Sequence, residues 1–313
     1  MTGYVFGRIL SGVPILLGVA VFVFLLLALT PGDPATIIAG DLASPDQVEA
    51  IRQSLQLDRP LFERFALWLG RMLSGDFGAS LFSGLPVSQL VSQRIEPTLV
   101  LSLMTITIAI VVAVPLGLVA AYRPKGLVAR FTMGGAVLGF SLPVFVVAYG
   151  LVYVFALWLR WFPVQGYSPL ADGLVGTLHS LFLPSIALSF LYIALIARVT
   201  RAAVLEVLRE DFVRTAHAKG LRERKILSRH VLRNAAVPII TVIGIGFAAL
   251  LGGVVVTETV FSIPGLGRLT ADSILRRDYP VVQALILLFS AIYVVVNLAV
   301  DIAYALVDPR IRY

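Results

Sequence analysis

The chain has 313 residues, of which 58% are hydrophobic and only 14% are charged, and its formal net charge is +7 at pH 7. Because a soluble domain carries about 25% charged residues, this composition excludes an ordinary soluble globular protein. The absence of cysteine excludes a disulfide framework and thiolate chemistry, and three scattered histidines give no convincing metal site.

Six long windows without charged residues run along the chain. Each exceeds the roughly 20 residues that a helix needs to cross about 30 Å of hydrocarbon. Backbone polar groups cannot stay unpaired in lipid, so the windows are predicted to be helices, and the alternation that a membrane barrel needs is absent. The predicted fold class is an all-α integral membrane protein with six transmembrane helices, in the windows 9–32, 97–122, 131–159, 173–197, 234–257 and 279–300.

The first apolar run, within residues 1–30, is predicted to remain as the first transmembrane helix. It is too long for a cleaved signal peptide and has no clear small-residue cleavage site. Residues 31–96 then form a polar insertion, with one helix capped by Ser44 and begun by Pro45 and a second short helix over 61–73. About 65 residues bury too little to be safely self-supporting, so the insertion is predicted to be a cap and not an independent domain.

Residues 97–313 are predicted to form a core of five further helices. Pro143 falls inside the third window and should kink or break that helix. A basic loop, residues 200–236, separates the fourth window from the fifth, and ten Lys or Arg lie between Arg198 and Arg233. A segment with this much charge is predicted to lie outside the membrane.

Small side chains precede Gly220 in the basic loop, and Gly220 permits a sharp change of direction. A helix is predicted to continue from the fourth window to Val213, and an apolar stripe resumes after Gly220 with Ile226 and Val231. This pattern predicts a helix–turn–helix that lies along the membrane face and inserts into the groove of a partner. The alternative is a basic amphipathic loop that lies on lipid headgroups.

The Lys and Arg counts of the loops predict the orientation in the membrane. With six spans both termini lie on one side, which holds sixteen Lys or Arg against nine on the other. Five of the nine lie in the 31–96 insertion, and a loop of this length can cross the membrane regardless of its charge. The basic loop and both termini are therefore predicted to be cytoplasmic. Because the basic residues flank the spans, the net charge is a topology signal and nucleic-acid binding is disfavoured.

Two sets of residues inside the predicted helices are candidates for a function. Gly244, Ala248 and Gly252 recur every four residues, which predicts a smooth stripe for close helix contact, either beside a translocation path or in ordinary packing. Asn297 and Asp301 share one face of the last helix. An ionisable residue in a span is a functional candidate, but we favour a structural anchor because Asp301 lies near the inner end.

Several motifs, spread from end to end of the chain, together resemble the permeases of ABC importers, most closely the peptide and nickel branch. The long insertion after the first helix resembles the first of the two permeases in such systems. The general loop pattern of the family has Glu-Ala-Ala where this chain has Arg214, Thr215 and Ala216, so only the Ala and Gly220 match. The motifs are RTAHAKGL at 214–221, RHVLRNA at 229–235 with Pro238, TPGDP at 30–34, FSIPGLG at 261–267 and DPR at 308–310.

The resemblance implies a type I ABC-importer permease architecture with a small outer-side insertion after helix 1. This chain has no phosphate-binding Gly-x-x-x-x-Gly-Lys motif, so no enzyme activity and no bound cofactor are expected, and ATP and Mg belong to partner subunits. The implied partners are two cytoplasmic ATPases, a second related permease in a heterodimer, an extracytoplasmic substrate-binding protein, a peptide substrate and membrane lipid. The implied location is the bacterial cytoplasmic (inner) membrane.

The resemblance also implies roles for individual residues. Gly220→Pro, or a bulky replacement at Ala216, is predicted to uncouple transport while membrane insertion stays intact. Glu258, at the outer end of the fifth helix, is interpreted first as a solvated boundary charge. The ATPase-coupling residues are Arg214, Thr215, Ala216, His217, Ala218, Lys219, Gly220 and Leu221. The candidates for contact with the binding protein are Glu258, Phe261, Pro264 and Gly265.

Other functions stay open at this point. The leading hypothesis is a permease for di- or oligopeptides, and the same family includes permeases for nickel or another small solute. A non-transporting membrane scaffold would not depend on an ATPase. An intramembrane enzyme would need paired ionisable residues at mid-membrane depth, which the uncharged windows do not supply.

Overall fold

A computed structural model describes residues 2–29, 34–39, 43–54 and 57–307 of the chain. The regular structure in these ranges is helical, apart from one isolated bridge between Ala79 and Pro86. Most of the 30–34 motif and all of the 308–310 motif lie outside the described residues.

Fifteen α-helices are present in the described part of the chain. Helix α7 continues into π-helical turns at Val152–Trp158, and α10 and α11 flank a π-helical segment at Ile226–Val231. The α-helices are α1 Thr2–Leu29, α2 Pro34–Ala39, α3 Pro45–Ser54, α4 Leu61–Leu73, α5 Val87–Tyr122, α6 Leu127–Ser141, α7 Val144–Leu151, α8 Leu174–Val207, α9 Asp211–Ala218, α10 Glu223–Lys225, α11 Leu232–Asn234, α12 Ala236–Gly253, α13 Val255–Val260, α14 Leu266–Leu275 and α15 Tyr279–Val307.

Five of these helices are long and apolar enough to cross a membrane, namely α1, α5, α8, α12 and α15. Helices α6 and α7 meet the same test together, and they give a sixth span if the bent pair is counted as one. The predicted all-α membrane fold is therefore confirmed.

The predicted break at Pro143 is also confirmed. Helices α6 and α7 meet at an angle of 104°. A residue that precedes proline is pushed out of the α region, and Leu142 accordingly has an extended backbone with φ −88° and ψ 122°. Pro143 itself is the residue just before α7, with φ −59° and ψ 139°, and its missing N–H costs nothing there because that position makes no N–H bond within the helix.

The chain divides into two compact units, Met1–Glu96 with Arg268–Val294 and Pro97–Gly267 with Val295–Tyr313. In the first unit, the rings of Phe24 on α1 and of Phe65 and Trp68 on α4 lie 5.3 to 6.1 Å apart, centroid to centroid. Aromatic pairs at such distances add to the stability that comes from their buried area. The apolar face of α4 is thereby fixed to α1.

Two polar arrangements shape the ends of elements in the first unit. The predicted cap of α3 is confirmed, since the Ser44 N–H donates to Gln47 Oε1 at 2.9 Å and the Gln47 N–H donates to Ser44 Oγ at 3.3 Å.

The Asp278 carboxylate accepts from Ser80 Oγ at 2.5 Å and from the Leu81 N–H at 3.1 Å. This buried carboxylate ties the loop after α4 to the turn before α15.

The second unit has a core built from α5, α7, α8 and α12. Its buried residues alternate between large aliphatic side chains and alanine, which lets helices approach closely in lipid. The same unit carries the basic loop, so α8 and α12 connect the loop to the apolar core. The buried core residues include Leu101, Ile106, Ala109, Ala113, Ala148, Leu181, Ala187, Leu188, Ile196, Ala197, Leu250 and Val254.

Candidate functional sites

The basic loop folds as separate helical pieces joined by tight turns. Helix α8 ends at Val207, and α9 begins at Asp211. The prediction of a helix continuous to Val213 is wrong, because Glu210 has an extended backbone with φ −70° and ψ 144° that starts a new helix. The predicted helix–turn–helix is confirmed, with α9 on one side of Gly220 and a helical segment from Glu223 on the other.

Helix α9 is held in place by an apolar cluster of its own. Val213 and Ala216 are buried on one face of α9. They belong to one cluster with buried residues from the ends of α5 and α8, from the π-helical segment and from the start of α12. The buried residues of this cluster are Ala121, Ala203, Val204, Val213, Ala216, Ile226, Val231, Ala235 and Ile239.

The predicted coupling residues divide into an exposed face and a buried face. Ala216 is 6% exposed, and Leu221 packs against the cluster. A bulky residue at Ala216 would also disrupt the core of the basic loop, so its predicted effect on transport stays a prediction that does not test docking alone. Ala218 is the small exposed residue on α9 that can serve instead. The exposed residues are Arg214, Thr215, His217, Ala218, Lys219 and Gly220.

Gly220 ends α9 in a left-handed conformation, with φ +70°. The Gly220 N–H donates to His217 O at 2.9 Å, and the Leu221 N–H donates to Ala216 O at 3.3 Å. These two bonds form a Schellman motif, in which glycine is favoured because it has no Cβ. The turn directs the chain back towards the apolar cluster, so Leu221 can pack there.

The imidazole of His217 connects α9 to the segment beyond the turn. Its Nδ1 lies 2.8 Å from Val213 O, and its Nε2 lies 2.9 Å from Glu223 Oε1. Both neighbours are acceptors, and both ring nitrogens donate only in the protonated form. The hydrogen bond to the Val213 carbonyl, followed by that to Glu223, raises the pKa of His217 above its ordinary value of 6.5.

A second arrangement lies where α13 ends and a loop of residues 261–267 begins. Glu258 has an exposed fraction of 0%, so the interpretation as a solvated boundary charge is wrong. Thr98 Oγ1 donates to Glu258 Oε1 at 2.6 Å, and the Leu266 N–H donates to Thr98 Oγ1 at 2.8 Å. A polar group this deeply buried needs hydrogen-bond partners, and here the Thr98 hydroxyl links Glu258 to the backbone of the loop.

The 261–267 loop wraps closely around this carboxylate. A Cβ at Gly265 would overlap the carboxylate of Glu258, so any side chain there would require the carboxylate or the loop to move. Phe261 is buried, and its carbonyl accepts from the Gly166 N–H at 2.9 Å. Pro264 is exposed. Of the four residues predicted to contact a binding protein, the structure therefore presents Pro264 and uses the other three to hold the loop.

Comparison with known proteins identifies the family. Residues 113–313 match the family described as the binding-protein-dependent transport system inner membrane component, and residues 1–102 match the N-terminal region of such components. The chain belongs to this family of ABC-importer permeases.

Relatives of the permease are similar along their whole length. A protein of Sinorhizobium fredii named as a probable peptide ABC transporter permease is 50% identical over 310 residues, which are 99% of each chain. The glutathione transport system permease protein of Escherichia coli is 42% identical over 313 residues, which are 100% of each chain. The solved methionine ABC transporter MetNI matches in fold, with a TM-score of 0.57 and 17% identity over 70% of this chain and 97% of that chain.

The predicted glycine stripe of the permease makes close contact at one end. A Cβ at Gly244 on α12 would overlap Val300 on α15, whereas nothing lies within 4 Å of such an atom at Gly252. Within this chain the structure thus shows a close helix contact at Gly244, and the role of the rest of the stripe stays a prediction. Gly246 makes the other close approach, since a Cβ there would lie 3.1 Å from Tyr192 Cδ1 on α8. Ala248 is half-buried between the two ends.

The polar pair of the last helix stays a prediction. Asn297 and Asp301 are both half-buried on α15 and lie four residues apart. A nearby hydrogen bond fixes the inner part of this helix, because Thr241 Oγ1 on α12 lies 2.6 Å from the Tyr304 hydroxyl oxygen. The position of Asn297 and Asp301 in the second unit fits a structural anchor as well as a functional role.

Thr98 is the residue of this arrangement that the sequence of the permease did not reveal. It lies 160 positions before Glu258 along the chain, so no local pattern connects the two. A threonine near the start of an apolar window is common, and only the buried carboxylate shows what it binds. The one available signal was Gly265 with Gly267, which indicates a close backbone approach near Glu258.

The His217–Glu223 contact predicts a pH dependence within the basic loop. A histidine with a raised pKa stabilises the folded loop fully below its unfolded pKa of about 6.5, and this contribution is lost as the pH rises through the raised value. Glu223→Gln should therefore lower the pKa of His217. Nuclear magnetic resonance of ¹⁵N-labelled histidine in the intact permease would measure it.

Glu210→Gln is the matched control for that titration. Glu210 is an exposed carboxylate on the same loop, and its side chain makes no capping bond to α9. An equal pKa of His217 in both variants would show that Glu223 does not stabilise the protonated imidazole.

Proposed function

We propose that the chain is one of two permease subunits of an ATP-driven importer, and that it moves peptides across the cytoplasmic membrane by alternating access. The names of the relatives from Sinorhizobium fredii and Escherichia coli support a peptide substrate. The single observation that carries the coupling role is α9, a short helix with an exposed face and a buried face fastened to α8 and α12.

The proposal assigns the chemistry to partners. Two ATPase subunits bind ATP and Mg, a second related permease completes the pathway, and an extracytoplasmic binding protein delivers the substrate. The basic loop and both termini face the cytoplasm, which the excess of Lys and Arg on that side supports. This chain itself binds no cofactor in the transport cycle.

The coupling step follows from the packing of α9. Closure of the ATPases moves the exposed face of α9, which includes Arg214 and Ala218. Because Val213 and Ala216 are packed in a dense cluster, α9 moves together with α8 and α12 instead of sliding over them. The spans thereby change from inward-facing to outward-facing.

The proposed contact with the binding protein uses the 261–267 loop on the other side. Pro264 is the exposed tip, and Glu258 with Thr98 holds the loop in one conformation. A loop that is already ordered loses less conformational entropy on binding. Glu258, Phe261 and Gly265 are therefore proposed to position this surface and not to contact the partner through their side chains.

Ala218→Trp tests the docking role of α9. The indole would stand in the proposed interface, and we expect the affinity of the ATPase subunits for the permease to fall by roughly 30-fold or more, as for a residue at the centre of an interface. Binding of the purified ATPases to the permease in nanodiscs would measure this affinity.

Ala171→Trp is the control, because Ala171 is also exposed and belongs to the link between α7 and α8 at the opposite end of α8. It should leave ATPase affinity unchanged. Equal affinities for the wild type and Ala218→Trp would contradict docking at α9 and would favour the alternative in which the basic loop lies on lipid.

A further inference from the structure

Two adjoining cavities lie in the first compact unit, along α1, α4 and the beginning of α15. The first has a volume of about 250 Å³, and its wall includes Arg71, Asp76 and Gln283. The second has a volume of about 520 Å³, and every residue that lines it is apolar. Both cavities share Met72 and Phe77 in their walls, so they are adjacent, and together they are called the groove, with a polar end and an apolar end.

Along α15 the groove is about half as long as the hydrocarbon thickness of a membrane. On α15, Pro280 lines the polar end and Ala291 lines the apolar end. Eleven residues at a rise of about 1.5 Å separate them by roughly 16 Å, which is about half of the 30 Å hydrocarbon thickness. Leu16 and Leu17 line the apolar end and lie at the centre of the Gly7–Leu26 span of α1.

The polar end carries one positive and one negative side chain. Arg71 and Asp76 are the charged residues of its wall. One oxygen of the carboxylate is oriented, because Asp76 Oδ1 accepts from the Gly78 N–H at 2.9 Å. A guanidinium pairs with a phosphate through charge-assisted hydrogen bonds, and a carboxylate accepts hydrogen bonds from an ammonium group.

The apolar end is open at the surface of this chain. Leu17 and Leu73 line it, and their side chains are 48% and 81% exposed. Such an apolar surface at the depth of the hydrocarbon is covered by lipid in a membrane. An acyl chain reaches this depth when its headgroup lies at the polar end.

We propose that this groove binds one zwitterionic phospholipid whose headgroup carries a primary ammonium. Arg71 holds the phosphate, Asp76 accepts from the ammonium, and one acyl chain lies along Leu17, Met72 and Leu288. The lipid fills the space between α1, α4 and α15, so it supports the position of α4 against the spans. This inference concerns the first unit and does not depend on the substrate or on the ATPases.

Native mass spectrometry of the full chain with its partners tests the site. The complex is placed in nanodiscs of equal parts phosphatidylethanolamine, phosphatidylcholine and phosphatidylglycerol, and the lipids that stay bound after activation in the gas phase are counted. We expect one phosphatidylethanolamine per copy of the chain, retained at least about tenfold over the other two lipids. Because this selectivity is measured on the wild type, it needs no variant that folds.

Separate variants test the polar end and the apolar end of the groove. Arg71→Gln and Asp76→Asn should each lower the retained phosphatidylethanolamine about tenfold, whereas Arg59→Gln should not, because Arg59 pairs with Glu63 outside the groove. Ala291→Phe should block the apolar end. Val295→Phe is its control on the same helix, at an exposed position that does not line the groove.

Three results would overturn the site. Equal retention of phosphatidylglycerol or phosphatidylcholine would show that the headgroup is not recognised. Unchanged retention in Arg71→Gln and Ala291→Phe would show ordinary annular lipid. Retention only by the isolated chain, with loss in the complete complex, would show that another subunit covers the groove.

Discussion

Gly220→Pro abolishes transport while the permease still inserts into the membrane, because the change destroys the turn that ends α9. Proline fixes φ near −65°, whereas Gly220 has φ +70°. Proline also removes the N–H that donates to His217 O. A cost of about 3 kcal/mol or more lowers the population of the correctly folded loop roughly 100-fold. Peptide uptake and ATP hydrolysis in proteoliposomes measure the loss.

Gly220→Asn is the matched control for this prediction. Asparagine tolerates the left-handed conformation better than other residues with a side chain, and nothing lies within 4 Å of a Cβ at this position. We expect Gly220→Asn to keep most of the coupling. If substrate-stimulated ATP hydrolysis is unchanged in Gly220→Pro, the docking role of the basic loop is contradicted.

Gly265→Ala produces the second large effect, at the 261–267 loop. A methyl group there overlaps the carboxylate of Glu258, so the carboxylate must leave Thr98 or the loop must move away. Overpacking costs about 1–3 kcal/mol, and a buried carboxyl group that loses a hydrogen-bond partner costs about 1–3 kcal/mol. We expect lower thermal stability of the purified permease and loss of stimulation by the binding protein.

Gly253→Ala isolates this steric effect. It makes the same chemical change at the end of α12, where a Cβ meets nothing within 4 Å. Its stability should be unchanged or slightly higher, because alanine favours a helix more than glycine does. Thr98→Val should lower the thermal stability in part, because it removes the hydroxyl that donates to Glu258. Thr98→Ser keeps the hydroxyl and should keep the stability of the wild type. Equal stability of Gly265→Ala and Gly253→Ala would contradict a loop held by Glu258.

The helices of the permease could be predicted from the sequence because the membrane imposes a simple rule. Uncharged windows longer than about 20 residues became helices, and Pro143 broke the third one because the residue before a proline avoids the α region. The ends were less predictable. Helix α5 begins at Val87, ten residues before its window, because a helix continues into water where charged residues can be solvated.

The candidate sites were predictable only where the signal is local. Gly220 and the helix before it follow from small residues and a glycine, and the structure shows a Schellman turn there. The burial of Ala216 could also be predicted, because Val213 is apolar and Ala216 lies three residues later on the same helix face. Glu258 was not, because its partner Thr98 belongs to a distant helix and only tertiary packing brings the two together.

Site-directed crosslinking from α9 tests the central claim most directly. The chain has no cysteine, so Ala218→Cys gives one site in this subunit for a benzophenone maleimide, and Ala171→Cys gives the control site. The importer is purified from its native membrane in mild detergent after irradiation. We predict that Ala218→Cys crosslinks to an ATP-hydrolysing subunit and that Ala171→Cys does not. Recovery of the permease without an ATPase, or equal crosslinking from both positions, would contradict the proposed coupling role of α9.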